Sequence, residues 1–160
     1  STFNSLMNQN AADQRKSWIE QDGSLYLSNK FKGKTVFNVP LIYLTELKLI
    51  RAEALGELNT DLSTAISDIN DIRDRAFGEG LNDLSQGSSA SQVISAAREE
   101  YRKETVCEGK WVLQLKRMGA KGENIMVRNA PWDCPGMALQ FPNSEFTGNT
   151  FVGNAEGGCQ

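Results

Sequence analysis

Apolar positions between residues 40 and 76 fall into two blocks at helical spacing, separated by a turn. In the first block Leu41, Leu44, Leu47, Ile50, Ala54 and Leu55 lie three or four residues apart or beside such a row. That is the spacing of one buried helical face. Pro40 suits the first helical position, where its missing N–H costs nothing. Gly56 reads as a left-handed C-terminal stop, and Asn59 or Thr60 as the cap of the next helix. Leu62, Ala65, Ile66, Ile69, Ile72 and Ala76 form the second stripe. The short connection predicts two antiparallel neighbours, with Ala52, Ala54 and Ala65 allowing close approach. Length and pattern predict a tetratricopeptide-like helical hairpin. One such hairpin cannot hide both of its faces, so other parts of the chain must cover it.

On either side the pattern changes. Residues 1–10 read as a short helix with Phe3, Leu6 and Met7 on one side. A polar-aromatic segment with Asp13, Arg15, Trp18 and Ile19 follows, in which Trp18 reads as a packing anchor. Asp22-Gly23 and Gly33-Lys34 are turn signals. With Leu25, Leu27 and Phe31, and then Val36 to Val39, they predict a small β-hairpin near residues 24–39. Residues 77–88, rich in Gly, Ser and Asn, read as a surface loop. Ser89 starts another helix, and Gln92 completes a capping box. Val93, Ile94, Ala97, Tyr101 and Thr105 make its buried stripe. Arg98, Glu99, Glu100, Arg102, Lys103 and Glu104 read mostly as its solvated side, and Gly109 as its end. A further helix is expected from Trp111 to Met118, stopped by Gly119. Residues 119–160 carry seven of the fourteen glycines and three of the four prolines. They predict a long irregular C-terminal tail packed on the helices. The expected fold class is mainly α, a single domain over residues 1–160.

Composition narrows the range of functions. A chain of 160 residues can bury roughly 70% of its unfolded surface, enough for a sizeable core. Apolar residues make up 39% and charged residues 23%, as in globular chains. The net charge of −3 disfavours nucleic acid as a partner. No apolar run approaches the ~20 residues that cross a bilayer, and the sequence does not open on a signal-like segment. There is no histidine, the usual general base near neutral pH. A hydrolase or kinase is hard to build from what remains. No phosphate-binding glycine loop follows a strand, and Gly78-Glu79-Gly80 lacks that setting. Of the three cysteines, Cys107 reads as a buried structural thiol in a helical stretch, while Cys134 and Cys159 could pair in an oxidising compartment. No zinc-ligand spacing occurs, so no metal site is expected.

Charged residues within apolar helices need partners. Arg51, Glu53, Arg98, Arg102, Glu104 and Glu108 read as buried ion pairs between helices in preference to a ligand site, and Glu46 as solvated or salt-bridged. Trp111 reads as core. Trp132 differs, because Asn129, Pro131, Asp133 and Pro135 surround it. Its indole suits stacking on the apolar face of a sugar, with Asn129 and Asp133 bonding hydroxyls. The competing reading is that Trp132 pins the tail to the scaffold.

These motifs resemble a known family. Asn38-Val39-Pro40-Leu41-Ile42-Tyr43-Leu44-Thr45-Glu46, leading to Arg51-Ala52-Glu53-Ala54, resembles the last helical repeat of the SusD/RagB family. Leu62 to Arg75 is similar to the helix that follows it there. Arg98-Glu99-Glu100-Tyr101-Arg102, then Glu108-Gly109-Lys110-Trp111 and Leu115-Lys116-Arg117, resembles the family's most specific signature. Phe141-Pro142-Asn143-Ser144-Glu145 looks like the closing motif. Two departures stand out. Val112-Leu113-Gln114 replaces an aromatic-aspartate pair, and the closing motif lacks a proline. The resemblance implies the C-terminal part of a surface-exposed outer-membrane lipoprotein that binds a glycan or other nutrient without catalysis or cofactor. It also implies a TonB-dependent porin as partner in polysaccharide uptake. Membrane association would come only through a lipid anchor outside these residues. Trp132, Asn129 and Asp133 are the expected ligand-binding residues. A protein-interaction scaffold of tetratricopeptide type is the alternative.

Overall fold

A computed structural model describes residues 2–33, 35, 36, 41–127 and 129–135. The chain divides into two compact units, residues 1–107 and 108–160. The fold is mainly helical, as the apolar periodicity predicts.

In the first unit α1 spans Thr2–Met7, and a 3-10 turn spans Gln14–Trp18. A hairpin of β1 (Ile19–Asp22) and β2 (Leu25–Ser28) follows, with Glu20 opposite Leu27. The small hairpin is therefore present, but it is built around the Asp22-Gly23 turn and lies one strand earlier than the 24–39 window. Residues 37–40, including Pro40, lie outside the described residues. Helices α2 (Leu44–Leu58), α3 (Leu62–Phe77) and α4 (Ala90–Glu104) pack on one another. The tetratricopeptide-like hairpin is α2 and α3, and α4 covers it.

The face that α2 buries is not the one its leucines predict. Leu49, Ala52, Glu53 and Gly56 are buried. Leu47 is 52% and Ile50 46% exposed, and Leu41 and Leu44 are more exposed still. Apolar residues surround α2 on nearly every side, so hydrophobicity alone does not choose a face. Close approach does. Gly56 lies against α4, where an added Cβ would stand 2.8 Å from Ile94 Cγ1 and 3.4 Å from the Ala90 carbonyl. Gly56 is thus a helix-contact residue inside α2, not its stop. The left-handed residue that ends α2 is Asn59 at φ 49°, and the cap of α3 is Asp61, which accepts from the Thr64 amide. Hydrogen bonds from Thr64 and Ser63 hold the Asp61 carboxyl below its usual range. The α3 stripe is as predicted, with Ala65, Ile66, Ile69, Ile72 and Ala76 buried.

The loop after α3 is tied down by polar side chains of that helix. Asn70 donates to the Leu84 carbonyl at 3.0 Å and accepts from the Leu84 amide at 2.8 Å. Asp74 accepts from the Gly80 amide at 2.8 Å. Phe77, expected in the loop, belongs to the last turn of α3 and is buried. The Ser89–Gln92 capping box of α4 is present in both directions.

Charge on α4 departs most from expectation. Glu100 and Lys103 are buried, not solvated, while Glu104 is buried in an inter-helix ion pair as expected. Arg15 lies among them. Its guanidinium forks onto Asp13 at 2.9 and 2.8 Å and reaches Glu100 at 2.8 Å and Glu104 at 2.9 Å. Arg73 binds the other oxygen of Glu100 at 2.9 Å, and Arg75 that of Glu104 at 2.5 Å. Burial disfavours the Arg15 charge, but its hydrogen bonds to Asp13 and Glu100 outweigh that and raise its pKa above the ordinary value. The expected inter-helix pairs also form, Arg98 with Glu53 at 2.5 Å and Arg51 with Asp68 at 2.7 Å.

Helix α4 ends at Glu104, before Gly109, and Cys107 sits in the intervening turn at φ 61°. Its thiol is free and exposed, not a buried structural group. The turn leaves the helix axis, so the helical period no longer applies to Cys107.

In the second unit Gly109 (φ 74°) caps α5 (Lys110–Ala120) at its start. Strands β3 (Met126–Val127) and β4 (Ala130–Pro131) pair antiparallel, with Val127 opposite Ala130. Residues 136–160, most of the expected tail, lie outside the described residues.

The Gly56 contact is directly testable. Alanine would gain about 1 kcal/mol of helix propensity, yet its methyl must displace Ile94, and overpacking typically costs about 1–3 kcal/mol. Gly56→Ala is expected to lower stability in urea unfolding; a stabilised variant would remove the close contact from the account.

Candidate functional site

The sequence-predicted trio lies in the second unit, around the β3–β4 hairpin. Asn129 occupies the turn at φ 68°, a left-handed position that asparagine tolerates better than most residues. It is exposed, as is Asp133. Trp132 is half-buried. Its indole packs so tightly on α5 that a Cβ added at Gly119 would fall 2.1 Å from Trp132 Cγ. Gly119 is therefore a buried seat for the indole inside α5, not the residue that stops the helix. The Cys134 amide donates to the Pro131 carbonyl at 3.1 Å, closing the turn that carries Trp132 and Asp133. Cys134 is disulfide-bonded; Cys159 lies outside the described residues. The trio is close in the chain, with one ring anchored by packing and two polar side chains in solvent.

A second group of residues carries no local signal of a site. In the first unit a cavity of about 160 Å³ is lined by Trp18, Lys30, Tyr43, Thr45, Glu46, Arg75, Glu104 and Thr105. Its wall is mostly apolar. The local chain explains the assembly. The Asn29 amide donates to the Trp18 carbonyl at 2.7 Å, and the Asn29 side chain to the Ser17 carbonyl at 3.1 Å. These two bonds fold the end of β2 back on the 3-10 turn. Lys30 then lies with its ammonium 4.6 Å from the Trp18 ring centre, 5.7 Å from Phe31 and 5.9 Å from Tyr43. Such cation–π contacts are worth roughly 0.5–2 kcal/mol each. The same ammonium donates to the Glu104 carbonyl at the end of α4. Tyr43 enters as the extended residue before α2, and Glu46 of its first turn accepts from the Tyr101 hydroxyl at 3.0 Å.

Electrostatically this cavity borders the Arg15 cluster. Glu104 is its shared wall, and its carboxylate already accepts from Arg15 and Arg75. Both of its oxygens are therefore engaged by contacts that hold the fold. The arrangement is suited to holding a ligand by ring contact and hydrogen bonds. Trp18 reads as packing in sequence because nothing beside it marks a site. Its partners come from the loop after β2, the first turn of α2, the last turns of α3 and the end of α4. Only the fold brings them together.

A family model described as the SusD family matches residues 3–134, so the chain belongs to that family. No curated protein matches the chain, and no solved structure does. Membership points to glycan binding in nutrient uptake, in a family whose members are generally non-catalytic and associated with the outer membrane.

The seat of the predicted tryptophan gives a clear test. Gly119→Ala should expel the indole from α5, shift tryptophan emission to longer wavelength and destabilise the second unit by roughly 1–3 kcal/mol, the usual cost of overpacking. Unchanged emission would show that Trp132 does not rest on Gly119.

Proposed function

We propose, from the chain's membership of the SusD family, that it is a non-catalytic glycan-capture module working with a TonB-dependent porin in polysaccharide uptake. The observation that carries this reading is the family match over residues 3–134. In it, the chain is part of a surface-exposed outer-membrane lipoprotein. Trp132 offers a ring to the apolar face of a sugar, while Asn129 and Asp133 bond its hydroxyls. The exposure of both polar side chains beside a partly exposed indole supports that role. Amide and carboxylate groups suit hydroxyls because each hydroxyl both donates and accepts.

One observation favours a second reading, a tetratricopeptide-like scaffold for protein partners. Leu41, Ile42, Leu44, Leu47 and Ile50 are all exposed at or near the outer side of α2. Contiguous apolar surface of this kind commonly marks an interaction face.

Calorimetry with a panel of oligosaccharides, together with co-purification, separates the two. The capture reading expects saccharide binding and recovery of a TonB-dependent porin. A chain that binds no saccharide and recovers only other proteins contradicts it. Asp133→Ala, at an exposed side chain, should weaken saccharide binding at least tenfold with the unfolding midpoint unchanged. Unchanged binding would remove Asp133 from the site.

A further inference from the structure

We infer that the cavity between the 3-10 turn, the start of α2 and the end of α4 is a second saccharide site, one that takes a single neutral sugar ring; this rests on the glycan-capture reading. Its size is the first argument. At about 160 Å³ it holds one ring-sized ligand, whereas sites for larger molecules run to about 300–1,000 Å³. Its wall is the second. Trp18 and Tyr43 supply ring surface in a mostly apolar lining. A pyranose presents C–H groups on one face, and aromatic rings are the side chains that combine large apolar area with a polar edge.

Charge is the third argument and selects among ring-sized ligands. Lys30 and Arg75 stand on the wall with Glu46 and Glu104, two cations against two anions. An acidic sugar would meet Glu46 or Glu104, and an amino sugar would meet Lys30 or Arg75. Burying either charge without a dedicated partner is unfavourable. A neutral polyol meets no such conflict. Each of its hydroxyls can donate to a carboxylate and accept from an ammonium or guanidinium. The threonine hydroxyls of Thr45 and Thr105 add to the polar part of the lining.

The cavity is also held in shape before any ligand arrives. Lys30 is fixed by the Glu104 carbonyl and the rings around it, Glu46 by Tyr101, and Arg75 by Glu104. Ordering costs on binding are therefore small, which favours recognition of a ligand with few contacts.

Saturation-transfer NMR on the full chain tests the site. The probes are the methyl glycosides of glucose, galactose, mannose and xylose, with glucuronate and glucosamine as charged controls. Transfer to the ring protons of a neutral glycoside is expected. Its affinity should fall at least tenfold in Trp18→Phe and in Tyr43→Leu and stay within twofold in Leu113→Ala, an exposed position outside both candidate sites, with Trp132→Phe compared alongside. Thr45→Val, a milder change, keeps the test valid if either ring variant unfolds; it should weaken binding at least threefold. Binding that follows Trp132 alone, or that survives Trp18→Phe, Tyr43→Leu and Thr45→Val, overturns the second site and leaves glycan capture standing. Charged sugars bound as tightly as neutral ones overturn the assignment of ligand class. Failure of the unaltered chain to bind any of these glycosides, or any oligosaccharide in calorimetry, overturns the capture reading and this inference with it.

Discussion

Arg15 sits where the first unit could least tolerate an unpaired charge. Its guanidinium is buried and touches Asp13, Glu100 and Glu104, while Arg73 and Arg75 bind the far oxygens of the two glutamates. Removing charges from water costs several kcal/mol per ion after relaxation. That cost is offset only when every lone pair and N–H finds a partner in good geometry. The forked contacts to Asp13 and the single contacts to the glutamates draw four hydrogen bonds from the five N–H groups of Arg15. Phe77 closes the set, with the guanidinium carbon 5.6 Å from its ring centre. The polar cluster thus fixes the 3-10 turn, α3 and α4 relative to one another with a specificity that apolar packing alone would not provide.

The cluster also explains what can and cannot be read from the chain. The stripe on α3 and the capping box of α4 are legible because local rules and tertiary packing agree there. The buried face of α2 is not. Its leucines advertise one side, but the tight approach to α4 is at Gly56, which has no side chain, and Ala52 is among the residues α2 buries. Small residues carry little hydrophobic signal, so a pattern weighted by apolarity points away from them. Glu100 and Lys103 mislead for the opposite reason. They look solvated in sequence, and they are buried because their partners lie far off in the chain, Arg15 among them. The roles of Gly119 and Cys107 depend on a neighbour or on a turn that periodicity does not encode.

For the candidate sites the same division holds. Trp132, Asn129 and Asp133 are visible because they are near one another in sequence. The Trp18 cavity is not, since its lining comes from separate elements of the first unit. The two share a chemical character: aromatic rings with polar groups nearby. At the Trp18 cavity, contacts that stabilise the fold occupy both oxygens of Glu104, which serves as a fixed wall. Members of the family are generally non-catalytic binding proteins.

The most direct measurement is a double-mutant cycle between Arg15 and Glu100, read as unfolding free energies in urea. Arg15→Met alone strands buried carboxylates and should cost about 3–5 kcal/mol, as for other broken buried pairs. Glu100→Gln alone strands part of the guanidinium. If the two charges depend on each other, the double variant should lose well under the sum of the single losses, by about 2 kcal/mol or more of coupling. Losses that simply add would contradict the account, because Arg15 would then stabilise the unit independently of the carboxylate it faces.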